Sequence, residues 1–223
     1  MILAQANDAF FRWDWVFDHL DDIWDRVLEH LVLTGIALAV GLAISLLLAA
    51  VALRWRRTYE PITWVTGVLY TIPSLALFAF LVPITGFTIL TAEIGLVGYT
   101  LLILIRNIVA GIDGVDPAVR EAASGMGYGR SRLFFEIELP LALPVIIAGI
   151  RIAAVTVIGL VTVTALIGQG GVGQFILRGL NRFFSTEIVL GTALSVVLAV
   201  LFDVALLLLE RALTPWSRRR AVL

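Results

Sequence analysis

Apolar residues in this chain neither alternate nor form a stripe; they run on for about the length of a membrane crossing. Five such runs are Leu31–Leu53, Ile62–Val82, Ile89–Val109, Leu141–Ile167 and Ile188–Leu209. A bilayer's hydrocarbon core is about 30 Å thick and takes roughly 20 mainly apolar residues in a helix, so each run predicts a transmembrane helix. The expected fold class is therefore an all-α integral membrane protein with five spans. Between the runs only short connections remain, which leaves no room for a second globular domain.

Composition agrees with that solvent. The chain is 60% hydrophobic and 15% charged, too apolar for a domain that must cover itself in water. Charge then orients it, because short cytoplasmic loops hold an excess of positive residues. Ten arginines fall on one side: Arg54, Arg56, Arg57, Arg120, Arg130, Arg132, Arg211, Arg218, Arg219 and Arg220. The other side has four, Arg12, Arg26, Arg178 and Arg182. The N-terminus is expected outside, the loop after the third span and the C-terminus inside.

Residues 1–30 combine seven acids (Asp8, Asp14, Asp18, Asp21, Asp22, Asp25, Glu29) with Phe10, Phe11, Trp13, Trp15, Phe17 and Trp24. This predicts an external segment lying at the membrane interface, ahead of a permeation body at 31–211 and a basic tail at 212–223. Met1–Asn7 has neither a basic region nor a long apolar run, so no cleaved signal peptide is expected.

Several absences narrow the chemistry. The chain has no cysteine, and its two histidines, His19 and His30, lack an obvious third ligand, which argues against a zinc site. All sixteen basic residues are arginine, so the lysine of a phosphate-binding GxxxxGK[ST] loop does not exist here. Any ATP must be bound by another chain. No catalytic residue, metal or bound cofactor is expected.

Polar groups inside spans cost about 2.5 to 3.5 kcal/mol for a charge at mid-membrane on insertion scales, so each needs a reason. Arg106, Asn107, Arg151 and Asp203 are the candidates, and Asp203 is expected to pair with Arg106 or Arg151 to fix span packing, or else to act on substrate or gating. Pro73 and Pro83 can kink the second span. Tyr70, Thr71, Pro73 and Ser74 then border either a pathway or a packing kink. Gly41, Ser45 and Ala49 form a small-residue stripe suited to close helix contact. Trp64, Tyr70, Phe78, Phe80 and Tyr99 could hold a quaternary ammonium by cation–π attraction, but aromatic residues also populate membrane interfaces, so no substrate site is inferred.

Two glycine-rich stretches stand out. "GQGGVGQF", Gly168 to Phe175, places Gly168, Gly170, Gly171 and Gly173 in a turn on the outer side. "EAASGMGYGRSRLFFEIELP", Glu121 to Pro140, is a polar insertion between the third and fourth spans. Asp116 and Pro117 mark a helix start, and Gly125, Gly127 and Gly129 a turn. Arg130–Leu139 can form a second amphipathic helix, which Pro140 would separate from the fourth span.

Glu121-Ala122-Ala123, Gly127, Ile137 and Leu139-Pro140, at their spacing, resemble the EAA motif of ABC-importer permeases with every anchor filled. "YTIPSLALFAFL", "RNIVAGIDGVDPAVREAASGMG", "ELPLALPVIIAGIR" and "ALIGQGGVGQFILRGL" resemble the permease subunits of osmoprotectant importers for glycine betaine, choline or carnitine. The resemblance covers roughly Thr34 to Arg211. It implies a type I ABC-importer permease in the bacterial inner membrane, with its coupling loop at 112–140 moved by a separate ATPase that holds ATP and Mg. Glu121, Ala122, Ala123 and Gly127 would be docking and turn positions, with Ile137, Leu139 and Pro140 completing the motif. The glycine loop at 168–173 would line an outer gate facing an extracytoplasmic substrate-binding protein. A second permease copy or paralogue is implied as well. One departure is Gly129, where the family more often has a hydroxyl residue, so the following helix would be less firmly capped. Other readings are a permease for methionine or another zwitterion, an ATP-independent channel, or a membrane scaffold.

Overall fold

The computed structural model describes residues 10–216, so Met1–Asn7, Asp8, Arg218, Arg219 and Arg220 lie outside the described residues. Among the described residues every regular element is helical: α1 Trp13–Asp18, α2 Leu20–Arg54, α3 Tyr59–Thr71, α4 Ser74–Thr85, α5 Ile89–Asp113, α6 Pro117–Gly125, α7 Arg130–Leu133, α8 Leu139–Val163, α9 Gly173–Arg182 and α10 Ser185–Leu213. Among the described residues four helical stretches are long and apolar enough to cross a membrane: Leu20–Arg54, Ile89–Asp113, Arg130–Ile167 and Ser185–Leu213. A fifth exists if the broken pair Arg56–Thr71 and Ser74–Thr85 counts as one span.

Three expectations change. The first apolar run begins at Leu31, yet α2 begins at Leu20, because nothing between them breaks a helix and Asp21 and Asp22 in its first turn complement the helix dipole. The described part of the expected external segment, residues 10–30, thus contains α1 and the first turns of α2. The second run is interrupted rather than kinked: Ile72 and Pro73 take extended backbone, ψ 127° and 131°, while Pro83 stays inside α4. A residue before proline is pushed out of the helical region, and Ile72 precedes Pro73. Finally, Arg130–Leu139 is no separate helix. Arg130–Ile167 runs as one stretch of 38 residues, because a π turn at Phe134–Glu138 leads into α8. There the Leu139 N–H reaches back to the Phe134 carbonyl, and this widened turn takes up Pro140 without a break.

The described residues fall in two compact units, to which each of α2, α5, α8 and α10 contributes a segment. The first holds residues 10–37, 73–96 and 157–200, the second 38–72, 97–156 and 201–216. In the second unit Ala49 and Ala52 of α2 are fully buried with Leu104, Ile105, Ala142 and Ala153. A side chain at Gly41 would overlap the Thr100 hydroxyl, so the small-residue stripe of α2 is a helix-contact face. Asn107 donates to the Ile103 carbonyl at 2.8 Å, and a side chain at Gly149 would strike it.

Candidate functional site

The loop with the EAA pattern lies in the second unit. The Asp116 carboxylate accepts from the Ala118 N–H at 2.8 Å, and Pro117 occupies the first helical turn, so α6 starts as capping chemistry dictates. It ends in a Schellman turn. The Tyr128 N–H donates to the Ala123 carbonyl at 3.1 Å and the Gly127 N–H to that of Ser124 at 3.0 Å. Gly127 sits at φ 85°, the left-handed region where a Cβ is penalised.

Glu121 and Ala122 are exposed, Ala123 is buried, and Met126 at the tip is 70% exposed. Ile137, Leu139 and Pro140 are half-buried in and beside the π turn. Arg120 fastens the loop: it donates to Glu138 at 2.6 Å and to the Ile112 carbonyl at 2.5 Å, tying α6 to the π turn and to the end of α5. Arg56 donates to both oxygens of Asp113 at 2.7 and 2.6 Å. The result is a braced helix with one exposed face and an exposed tip, tied to the end of α5 and to the π turn ahead of α8.

In the same unit Arg151 donates to both carboxylate oxygens of Asp203 at 2.8 and 2.9 Å, a bidentate pair across α8 and α10, with Glu210 at 3.5 Å. Arg106 is exposed and, among the described residues, has no acidic partner. Tyr70 packs edge-on to Tyr99, whose hydroxyl donates to the Ile72 carbonyl freed by the helix break. The Thr71 hydroxyl donates to the Val68 carbonyl.

The glycine loop, with Pro73 and Ser74, belongs to the first unit. Gly168, Gly170 and Gly171 have φ of 80°, 127° and 49°. A Cβ on Gly171 would come within 2.5 Å of the His30 Cβ, and one on Gly173 within 2.5 Å of Thr162 backbone. The Gly170 N–H donates to Glu29 at 3.1 Å, while the buried His30 donates to the Ile158 carbonyl at 3.1 Å. Arg26 donates to Glu29 at 2.6 Å and to Asp22 at 3.4 Å; Arg178 on α9 donates to Asp22 at 2.9 Å and lies 4.0 Å from the buried Glu187. The loop is locked onto the first turns of α2 by this charged network.

The network was missed in the sequence, although Asp22, Arg26 and Glu29 stand at the i, i+4 and i, i+3 spacings that signal helix-face pairs. Arg178 and Glu187 carried no such signal, nor did Glu93, a carboxylate buried early in α5. Among the described residues no three His, Cys, Asp or Glu side chains are grouped to hold a metal.

A membrane-spanning helical protein with a braced, exposed EAA-type loop is of the class of transporter permeases. The chain belongs to the family described as "binding-protein-dependent transport system inner membrane component", whose model matches residues 41–219. It is thus a multi-pass inner-membrane protein. It is 35% identical over 196 residues to the choline transport system permease protein OpuBB of Bacillus subtilis, covering 87% of this chain and 90% of that one. With the carnitine transport permease protein OpuCB of Listeria monocytogenes it shares 38% over 194 residues, 86% and 88% of the two chains. With the osmoprotectant import permease protein OsmW of Salmonella typhimurium it shares 31% over 206 residues, 90% and 96%. Its fold matches a chain of the inward-facing methionine ABC transporter MetNI at a TM-score of 0.71 and 19% identity, covering 92% of this chain and all of that one.

Proposed function

We propose that this chain is the pore-forming subunit of an ATP-driven importer for a small osmoprotectant such as glycine betaine, choline or carnitine. It crosses the membrane five times, the broken pair Arg56–Thr71 and Ser74–Thr85 counting as one span. The N-terminal region is external, and the 112–140 loop and C-terminus are cytoplasmic, as the distribution of arginine favours. A partner ATPase binds ATP and Mg, an extracytoplasmic binding protein delivers substrate, and a second permease copy or paralogue completes the pore. Residues 31–211 form the permease body.

The observation that carries this reading is the braced coupling loop. Glu121 and Ala122 face outward beside a left-handed Gly127 turn, while Arg120 anchors the loop to Ile112 and Glu138. A groove in an ATPase that took up α6 would therefore pull on α5 and α8 through short, charge-assisted bonds. The osmoprotectant class is supported by the substrates named for the relatives. The Arg151–Asp203 pair is assigned to fixing α8 against α10.

The test is to purify the tagged chain from its native membrane, wild type beside Gly127→Asp, and identify the companions by mass spectrometry. An ABC ATPase is expected with the wild type alone, with equal membrane insertion of both. A well-folded wild type without an ATPase would overturn the coupling assignment. Uptake of labelled glycine betaine, choline and methionine by cells carrying the intact system then decides the substrate class.

A further inference from the structure

Within the second unit a cavity of about 660 Å³ opens between the end of α2, the end of α5 and the π turn. Its floor is apolar, with Leu46, Leu53, Ile108 and Ile146, and its rim carries Arg54, Arg56, Arg120 and Arg130. Two of these are already satisfied, Arg56 by Asp113 and Arg120 by Glu138. Arg54 and Arg130 are exposed and, among the described residues, have no acidic partner. The cavity therefore pairs two spare cations with hydrocarbon walls.

That combination selects its occupant. A free inorganic anion gains nothing from the apolar floor, and a zwitterionic lipid gains little net from two unpaired guanidinium groups. We propose that this cavity binds an anionic phospholipid, its phosphate and headgroup held by Arg54 and Arg130. Its acyl chain continues along Leu46 and Leu47, which are 48% and 70% exposed on the lipid-length helix α2. Arginines at the end of a spanning helix sit where phospholipid headgroups lie, and guanidinium groups bind phosphate in a bidentate manner. The site touches both α2 and the π turn that carries the coupling motif, so an occupied cavity would brace the loop from its membrane side.

The experiment uses the full chain purified with its partner subunits, stripped of lipid, and titrated in native mass spectrometry. The probes are phosphatidylglycerol, phosphatidylcholine with the same chains, and glycerol 3-phosphate. Phosphatidylglycerol is expected to bind at least about tenfold more tightly than phosphatidylcholine, and glycerol 3-phosphate not to displace it. Arg54→Gln or Arg130→Gln should weaken phosphatidylglycerol about fivefold each, and together about 30-fold, while Arg57→Gln, outside the cavity, leaves it unchanged. Ala50→Trp, which fills the floor and keeps every arginine, should also lose the lipid, and melting curves report whether each variant is folded. Equal binding of the two lipids, or undiminished binding by a folded double variant, would overturn the proposal. So would full displacement by glycerol 3-phosphate, which marks a free-anion site. Binding seen only after the partner subunits are removed would overturn it too, because an acidic partner surface would then fill the cavity.

Discussion

The molecule has two glycine-rich turns, and they use glycine for opposite reasons. At 168–173 three glycines have positive φ, and at Gly170, Gly171 and Gly173 an added Cβ would strike neighbouring atoms of Ala165, His30 and Thr162. At 125–129 only Gly127 has positive φ, and an added Cβ on Gly125, Gly127 or Gly129 would meet nothing within 4 Å. The first turn is shaped by the rest of its own unit. The second is shaped by its own backbone, and its surface is exposed. Glycine count alone does not separate a packed joint from an exposed tip; what surrounds each missing side chain does.

The sharpest break of this contrast is Gly171→Ala. The new methyl would lie 2.5 Å from the His30 Cβ and 2.7 Å from His30 backbone, which no rotamer change relieves. Overpacking and a left-handed alanine together predict a loss of about 3 kcal/mol, measured by denaturation of the purified chain in detergent. An unchanged melting curve would mean that this turn is as open as the other. A smaller effect is expected from Asp116→Ala, which removes the cap on α6 and leaves its first amides without a side-chain acceptor. The cost is about 1 kcal/mol, confined to α6 and visible as faster amide exchange there with the rest of the chain unaffected. If exchange quickened throughout, α6 would be part of the core and not a handle on it.

Much of this was readable in the chain itself. Long apolar runs have few alternatives once the solvent is lipid, so four of the five lie in long helices and the second in a broken pair of helices, and Asp116-Pro117 and Gly127 announced the two ends of α6. Proline was read less well, because its effect depends on what lies before it and on how the local turn is wound. Pro73 broke its helix, Pro83 did not, and Pro140 was absorbed by a π turn that no residue type announces. The acidic start of α2 was hidden because polarity ended the apolar run without ending the helix. The Asp22–Arg178 contact joins residues 156 apart, a pairing that periodicity cannot express. Arg151 as the partner of Asp203 was one of two candidates, and only the placement of α8 against α10 chose it over Arg106.

The smallest effect gives the finest test of what the open space at the second turn is for. Gly125 is the last residue of α6, lacks positive φ, and would meet nothing within 4 Å if it carried a Cβ. Gly125→Ala should therefore stabilise the isolated chain by about 0.5 to 1 kcal/mol, because alanine loses less backbone freedom on folding. Docking is assigned to Glu121, Ala122 and the Gly127 turn; Gly125 lies one turn along the same face, and a single methyl added there is small, so recovery of the ATPase should be unaltered. A chain that became more stable yet lost its ATPase would show that the vacant volume beside Gly125 is occupied in the assembled transporter. The docking surface would then extend over the C-terminal end of α6, and open space around a glycine would have to be read as reserved for a partner at both positions.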